Sequence, residues 1–148
     1  DPHLIGFSSS GLKDTVSNCD ATGEFVFNLV TQTLLTSMSQ SSVAIPPEES
    51  EFAICGLESV PSYRVSAPRV AQSPAALECR VVEIRQLQGL DGVPCQSWFT
   101  IGEVIGIYLD PAFITEAGRF DTAKAAIPTR CGYQDYMEAG DLFELTRP

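Results

Sequence analysis

The apolar positions change period several times along the chain, and each change marks an element. Residues 3–8 are a short, mostly apolar run that ends in Ser8-Ser9-Ser10 and Gly11, which reads as a strand running into a helix start. Leu12, Val16 and Cys19 then fall at i, i+4 and i+7, one face of a helix. This spacing predicts a helix over 11–22, with Ser10 as its N-cap, Asp14 near its first turn and Gly23 as its stop. Over 24–30 the period drops to two. Phe25, Phe27 and Leu29 share one face, Val26, Asn28 and Val30 the other, so this is a strand buried on both sides with Asn28 as its polar exception. Leu34, Leu35 and Met38 return to helical spacing and predict a helix over 31–42.

Residues 43–74 lose the pattern. Pro46-Pro47, Pro61, Pro68 and Pro74 punctuate them, and Ser50 is placed to start a short helical turn that stops at Gly56. A loop this long commonly covers or binds something. The clearest strand is 75–87. Leu77, Cys79 and Val81 share a face, then the phase flips so that Val82 and Ile84 are the apolar positions, the mark of a β-bulge. Gly89-Leu90-Asp91-Gly92 is a turn signal, and 97–109 is the returning strand of a hairpin. Thr100, Gly102 and Gly106 are read as one small-residue face that lets another backbone or a flat ligand come close. The tail has a short helical piece near 121–126, a stop at Pro128 and an extended run over 142–145.

Composition narrows the function. A chain of 148 residues is one domain's worth, and 19 acidic against 9 basic side chains leave a net charge of −10. Such a surface repels phosphate backbones and anionic lipid, which argues against nucleic-acid or membrane partners. The five cysteines are an odd set without close pairs, and read as reduced core thiols consistent with a cytoplasmic location. The chain opens Asp1-Pro2-His3 without a secretory pattern. Neither a dinucleotide glycine fingerprint, a P-loop, a nucleophile elbow nor a zinc-protease motif occurs. The sole histidine is His3, so nucleophile–histidine catalysis has little to build on. Glu48 and Glu49, and Asp110 and Glu116, are carboxylate pairs of the kind found on the solvated surface of any acidic protein.

The segment from Ser8 to Thr15 is different. Its hydroxyls, a glycine and Lys13 sit at a strand-to-helix junction, where a helix start leaves backbone N–H groups open and carries partial positive charge. Those groups make a phosphate cradle, although serine-rich helix caps without ligands are common.

The order of several segments carries a resemblance. Gly6-Phe7-Ser8-Ser9-Ser10 with Lys13-Asp14-Thr15, Asn18 and Thr22-Gly23-Glu24-Phe25-Val26-Phe27-Asn28-Leu29 resembles the signature of the flavin reductase-like family. Cys55-Gly56-Leu57, Pro68-Arg69-Val70-Ala71-Gln72-Ser73-Pro74, Ile101-Gly102-Glu103-Val104-Ile105-Gly106, Gly132-Tyr133-Gln134-Asp135-Tyr136 and Arg147-Pro148 follow in the same order. The resemblance spans essentially the whole of 1–148. It implies a mainly β fold, an FMN-binding split β-barrel of Greek-key type with a few peripheral helices. It implies FMN as cofactor, held by Ser8, Ser9, Ser10, Lys13 and Thr15, with Asn28 free to bond the flavin or a neighbouring backbone. It implies hydride transfer from NAD(P)H to flavin, and a homodimer. A non-catalytic FMN-binding electron carrier and a truncated, flavin-free interaction domain are the rival readings. Members of the family usually begin earlier, with first barrel strands that would precede Asp1.

Overall fold

The computed structural model describes residues 1–46 and 49–146. Pro47 and Glu48 of the loop, and Arg147-Pro148 of the resemblance, lie outside the described residues. The architecture is mainly β. Four strands carry it: β1 (Leu4–Ser10), β2 (Glu24–Asn28), β5 (Ala75–Gln88) and β6 (Pro94–Leu109). They form one antiparallel sheet in the order β1-β6-β5-β2. Consecutive strands β1 and β2 therefore lie on opposite sides of the β5–β6 hairpin, a Greek-key order, and α1 (Asp14–Thr22) makes the connection. Smaller elements fill in: α2 (Leu35–Gln40), α3 (Glu51–Ile54), the short pair β3 (Ser59–Val60) and β4 (Arg69–Val70), α4 (Thr122–Ala125), and the pair β7 (Thr129–Gly132) and β8 (Asp135–Met137).

The sheet curls strongly. Phe7 of β1 and Phe25 of β2 belong to opposite edges, yet their rings meet edge to face with centroids 5.4 Å apart, a favourable aromatic geometry. Gly102 makes room for this. A Cβ there would stand 2.4 Å from the Phe25 ring, so the small residue receives an aromatic side chain of its own chain rather than a ligand. Gly106, expected on the same face, is on the other. The register shifts between Glu78 and Cys79, so that Glu78 pairs with Gly106 and Cys79 with Val104. The second shift, between Val81 and Glu83, is the bulge that the phase flip predicts.

Other differences have local causes. The N-terminal strand runs through all three serines, because β6 supplies pairing partners as far as Ser10 with Ser97, and tertiary pairing outweighs the capping preference of serine. Gly11 then turns the chain at φ +93°, and Lys13, not Ser10, takes the N-cap position of α1. At the other end Gly23 stops the helix as expected, left-handed and donating its N–H to the Cys19 carbonyl. The 31–42 segment is shorter as a helix, a turn of 3-10 helix over Gln32–Leu34 followed by α2. Residues 142–145 form no strand. Cys19, Cys55 and Cys79 are buried and Cys95 and Cys131 exposed, so the core-thiol reading holds for three of the five. Burial pushes the Cys79 thiol up to about 11 and raises that of Cys19.

Candidate functional site

The bottom of the site is the gap between the two sheet edges. Ile5, Gly6 and Phe7 of β1 and Phe25 to Asn28 of β2 line a hollow of about 260 Å³, to which Thr15 also contributes. Thr15 and Asn28 also line a larger cleft of about 680 Å³, together with Asn18, Ser41, Ser50, Phe52, Leu57 and Val70. A third hollow, about 240 Å³ and mostly apolar, opens from Asn28 towards Leu34, Met38 and Leu57. On the outer side Lys13, Asp14 and Thr15 share a further hollow with Ser41 to Ile45 and Glu51. Thr15, Asn28 and Ser41 each line three of these four spaces and so mark where they meet.

One wall is the start of α1. Its N-cap residue Lys13 has extended backbone angles and no side chain caps the helix. The first intrahelical bond of this end runs from the Ser17 N–H to the Lys13 carbonyl, which leaves the amides of the first turn open. Lys13 and Thr15 flank them.

The other wall is the segment 59–70, and it is held in an unusual way. Direct partners across adjacent strands point to one side of a sheet, so Glu24, Glu78 and Asn28 share a face. Each holds the segment by its backbone. Glu78, with 1% of its surface exposed, accepts from Tyr63 N–H at 3.0 and 3.1 Å and from Arg64 N–H at 2.6 Å. Glu24 accepts from Ser66 N–H at 2.7 Å and Ser66 hydroxyl at 2.6 Å. These bonds, above all that of the Ser66 hydroxyl, hold the Glu24 carboxyl below the usual glutamate range, with Arg80 nearby acting in the same direction. Asn28 accepts from Val70 N–H at 2.9 Å through Oδ1, while its Nδ2 reaches the Val26 carbonyl at 3.3 Å. Beside Val70, the Arg69 guanidinium lies 3.6 Å from the centre of the Tyr108 ring, and the Arg64 stem packs over Gly106.

Of the residues read from sequence as flavin contacts, Thr15 and Asn28 line the cleft together, and Lys13 lines the adjoining hollow, which it shares with Thr15. The three serines do not join them as a group. Ser9 lies on the face of Ile5 and Phe7 and bonds the Gly11 carbonyl at 2.9 Å, whereas Ser8 and Ser10 point to the opposite, exposed side. None of the three lines the hollows described above. Asn28 makes the neighbouring-backbone bond that was one of its two readings. Sequence reasoning missed Glu24 and Glu78. The only signal was a carboxylate in mid-strand beside Ala76 and Cys79, and the alternating pattern files such a residue with the solvent-facing positions. The Asp110 carboxyl, one of the expected surface pairs, caps a turn by accepting from Ala112 N–H. Among the described residues no cluster of potential metal ligands occurs, and no helix is long and apolar enough to cross a membrane.

A Greek-key sheet curled on itself, with a helix start and a pinned segment facing each other over the gap between its edges, defines a split-barrel protein. The family model for the flavin reductase like domain matches residues 1–123, and the chain belongs to that family. It is 35% identical over 153 aligned residues to an uncharacterised protein of Halalkalibacterium halodurans, covering 100% of this chain and 72% of that one. Among solved structures it is similar to nitrilotriacetate monooxygenase component B from Bacillus cereus, with a TM-score of 0.85, 26% identity, and coverage of 96% of this chain and 71% of the other. A flavin reductase with a split barrel domain from Shewanella frigidimarina gives 0.85 and 26%, with 99% and 72% covered.

Proposed function

We propose that this chain binds FMN in the cleft between α1 and segment 59–70 and passes a hydride from NAD(P)H to it. Family membership makes the protein a flavin-related oxidoreductase; the choice of FMN, the nicotinamide donor and the roles of individual residues are the proposal. The observation that carries it is the open start of α1, whose Thr15 lines a cleft of about 680 Å³ while Lys13 lines the adjoining hollow that shares Asp14, Thr15, Ser41 and Glu51 with it. That volume lies within the range of about 300–1,000 Å³ usual for cofactor sites.

The residues fit the cofactor in kind. A phosphate group needs N–H donors and a cation, and the Lys13–Thr15 turn offers both. A flat ring needs apolar surface, and Phe52, Leu57 and Val70 offer it. Asp14 and Glu51 line both the Lys13 hollow and the cleft, and Glu49 the cleft, so Lys13 and the open amides have to offset nearby carboxylates for a phosphate to bind. Ser8 and Ser10 belong to the strand leading to this turn and contribute through its placement, as does Ser9 through its bond to Gly11. The flavin supplies the redox chemistry; the chain's part is to bind, orient and shield it. An exposed apolar row, with Phe27 at 45%, Ile107 at 63% and Leu109 at 41%, supports pairing with a second copy.

The test is flavin titration followed by anaerobic addition of NADH or NADPH. Bleaching of the bound-flavin absorbance by either nucleotide supports the reductase. Bound flavin that neither nucleotide bleaches makes the protein a carrier, and no flavin binding refutes both.

A further inference from the structure

We infer that Glu78 is a positioning residue for the flavin site, acting through the backbone of segment 59–70. The inference rests on the reading of the cleft as a flavin site. Only short strands hold this segment by main-chain pairing: β3 and β4 pair with each other through Ser59 with Val70 and Val60 with Arg69. Between them, residues 61–68 reach the main sheet through side chains. Glu78 takes the amides of Tyr63 and Arg64, Glu24 that of Ser66, and Asn28 that of Val70 at the far end. The two ends of the segment, Ser59 and Pro68 to Val70, line the cleft. Its middle sits on Glu78.

Of the three side chains, Glu78 takes the most backbone amides, those of Tyr63 and Arg64. Glu78 is buried, and among the described residues no cation lies within ion-pair distance of it. Its oxygens spend their acceptor capacity on backbone donors, so these bonds are what its burial depends on. Of the neighbouring side chains, Tyr63 is 80% exposed and Val65 is buried at 8%, so Val65 packs the middle of the segment inward while Glu78 fixes the backbone on its N-terminal side. Gly106 completes the seat. A Cβ there would come within 2.8 Å of the Arg64 stem and 3.2 Å of the Glu78 oxygen, which keeps the segment close to the sheet. Moving the carboxyl or losing an acceptor therefore lifts the middle of the segment, and with it the Pro68–Val70 side of the cleft.

Glu78→Gln tests this. The amide turns an N–H donor towards a backbone N–H donor where an oxygen accepted before. Riboflavin and FMN should both bind about tenfold more weakly, the effect of about 1.4 kcal/mol, because the wall they share is displaced. Hydrogen exchange of the Tyr63, Arg64 and Ser66 amides should accelerate while amides of α1 and of the centre of β5 keep their protection. Glu78→Asp, which keeps two acceptor oxygens, should restore part of both. Unchanged exchange at 63 and 64, or acceleration throughout the chain, overturns the role. The exchange measurement needs no flavin, so failure of the flavin reading shows separately, as wild-type protein that binds neither riboflavin nor FMN. In that outcome the positioning role for a flavin site falls, whatever the exchange data say.

Discussion

The two walls of the cleft are built on opposite principles. The α1 wall is local. A strand ends, Gly11 turns, Lys13 starts the helix, and the open amides follow from the geometry of any helix start. The 59–70 wall is assembled from a distance, by Glu24, Asn28 and Glu78 on strands that are 14 to 42 residues away along the chain. The first wall offers charge and donors to a ligand. The second spends its polar side chains internally and presents what remains, mostly apolar surface. A site with one electrostatic and one mechanical wall should separate the two contributions on substitution, and the following changes press on that separation.

The largest effect is expected where both walls share support. Gly102→Leu places a side chain where Phe25 now lies, 2.4 Å from even a bare Cβ. Overpacking of this kind costs about 1–3 kcal/mol, and this site belongs at the top of that range. A thermal melt should show it, and FMN and riboflavin should lose affinity together. A melt equal to wild type would mean that the curl does not need the Phe25–Gly102 contact.

Lys13→Ala addresses the electrostatic wall alone. FMN binding should weaken by about 1.5–3 kcal/mol, the range for hydrogen bonds to charged groups, with riboflavin nearly unaffected and the melt unchanged. Equal losses for both ligands would take Lys13 away from the phosphate. Asn28→Ala addresses the mechanical wall. It leaves the Val70 amide without its acceptor, at about 1–3 kcal/mol, visible in denaturant unfolding. Both flavins should weaken by the same factor; a loss confined to FMN would erase the distinction between the walls.

The smallest effect is a pH dependence. Folding lowers the Glu24 pKa, so the folded state prefers its ionised form. Its contribution is complete at neutral pH and is lost as the pH falls through the ordinary glutamate range towards the lowered value. The protection factor of the Ser66 amide, its exchange relative to the intrinsic rate, should fall over that window in wild type. In Glu24→Gln it should be low already and stay so. A wild-type profile that matches the variant's would free Ser66 from Glu24.

The same contrast explains what could be read from the chain. The β5–β6 hairpin, the bulge after Val81 and the Gly23 stop follow from alternation, phase and glycine placement, all local signals. The presence of a helix ending at Gly23 was legible in the same way, but not its start, which lies at Lys13. Ser10 was misplaced as a cap because its pairing with Ser97 depends on a strand nearly ninety positions away, which no local pattern carries. Gly106 changed faces because a second bulge lies between Glu78 and Cys79, where the apolar pattern shows no break. The clamp was invisible for a related reason. A glutamate whose partners are backbone amides leaves no complementary residue to find in the sequence, since every residue but proline carries that donor.

Reduced flavins react with oxygen to give peroxide, and a protein that handles them works beside its own oxidant. Sulfur is attacked mainly as the thiolate. Burial disfavours the thiolates of Cys19 and Cys79, so these two core thiols are poor targets for the by-product of the proposed reaction. Whatever damage peroxide does to cysteine in this chain falls first on the exposed Cys95 and Cys131, near the start of β6 and on β7, away from the buried thiols.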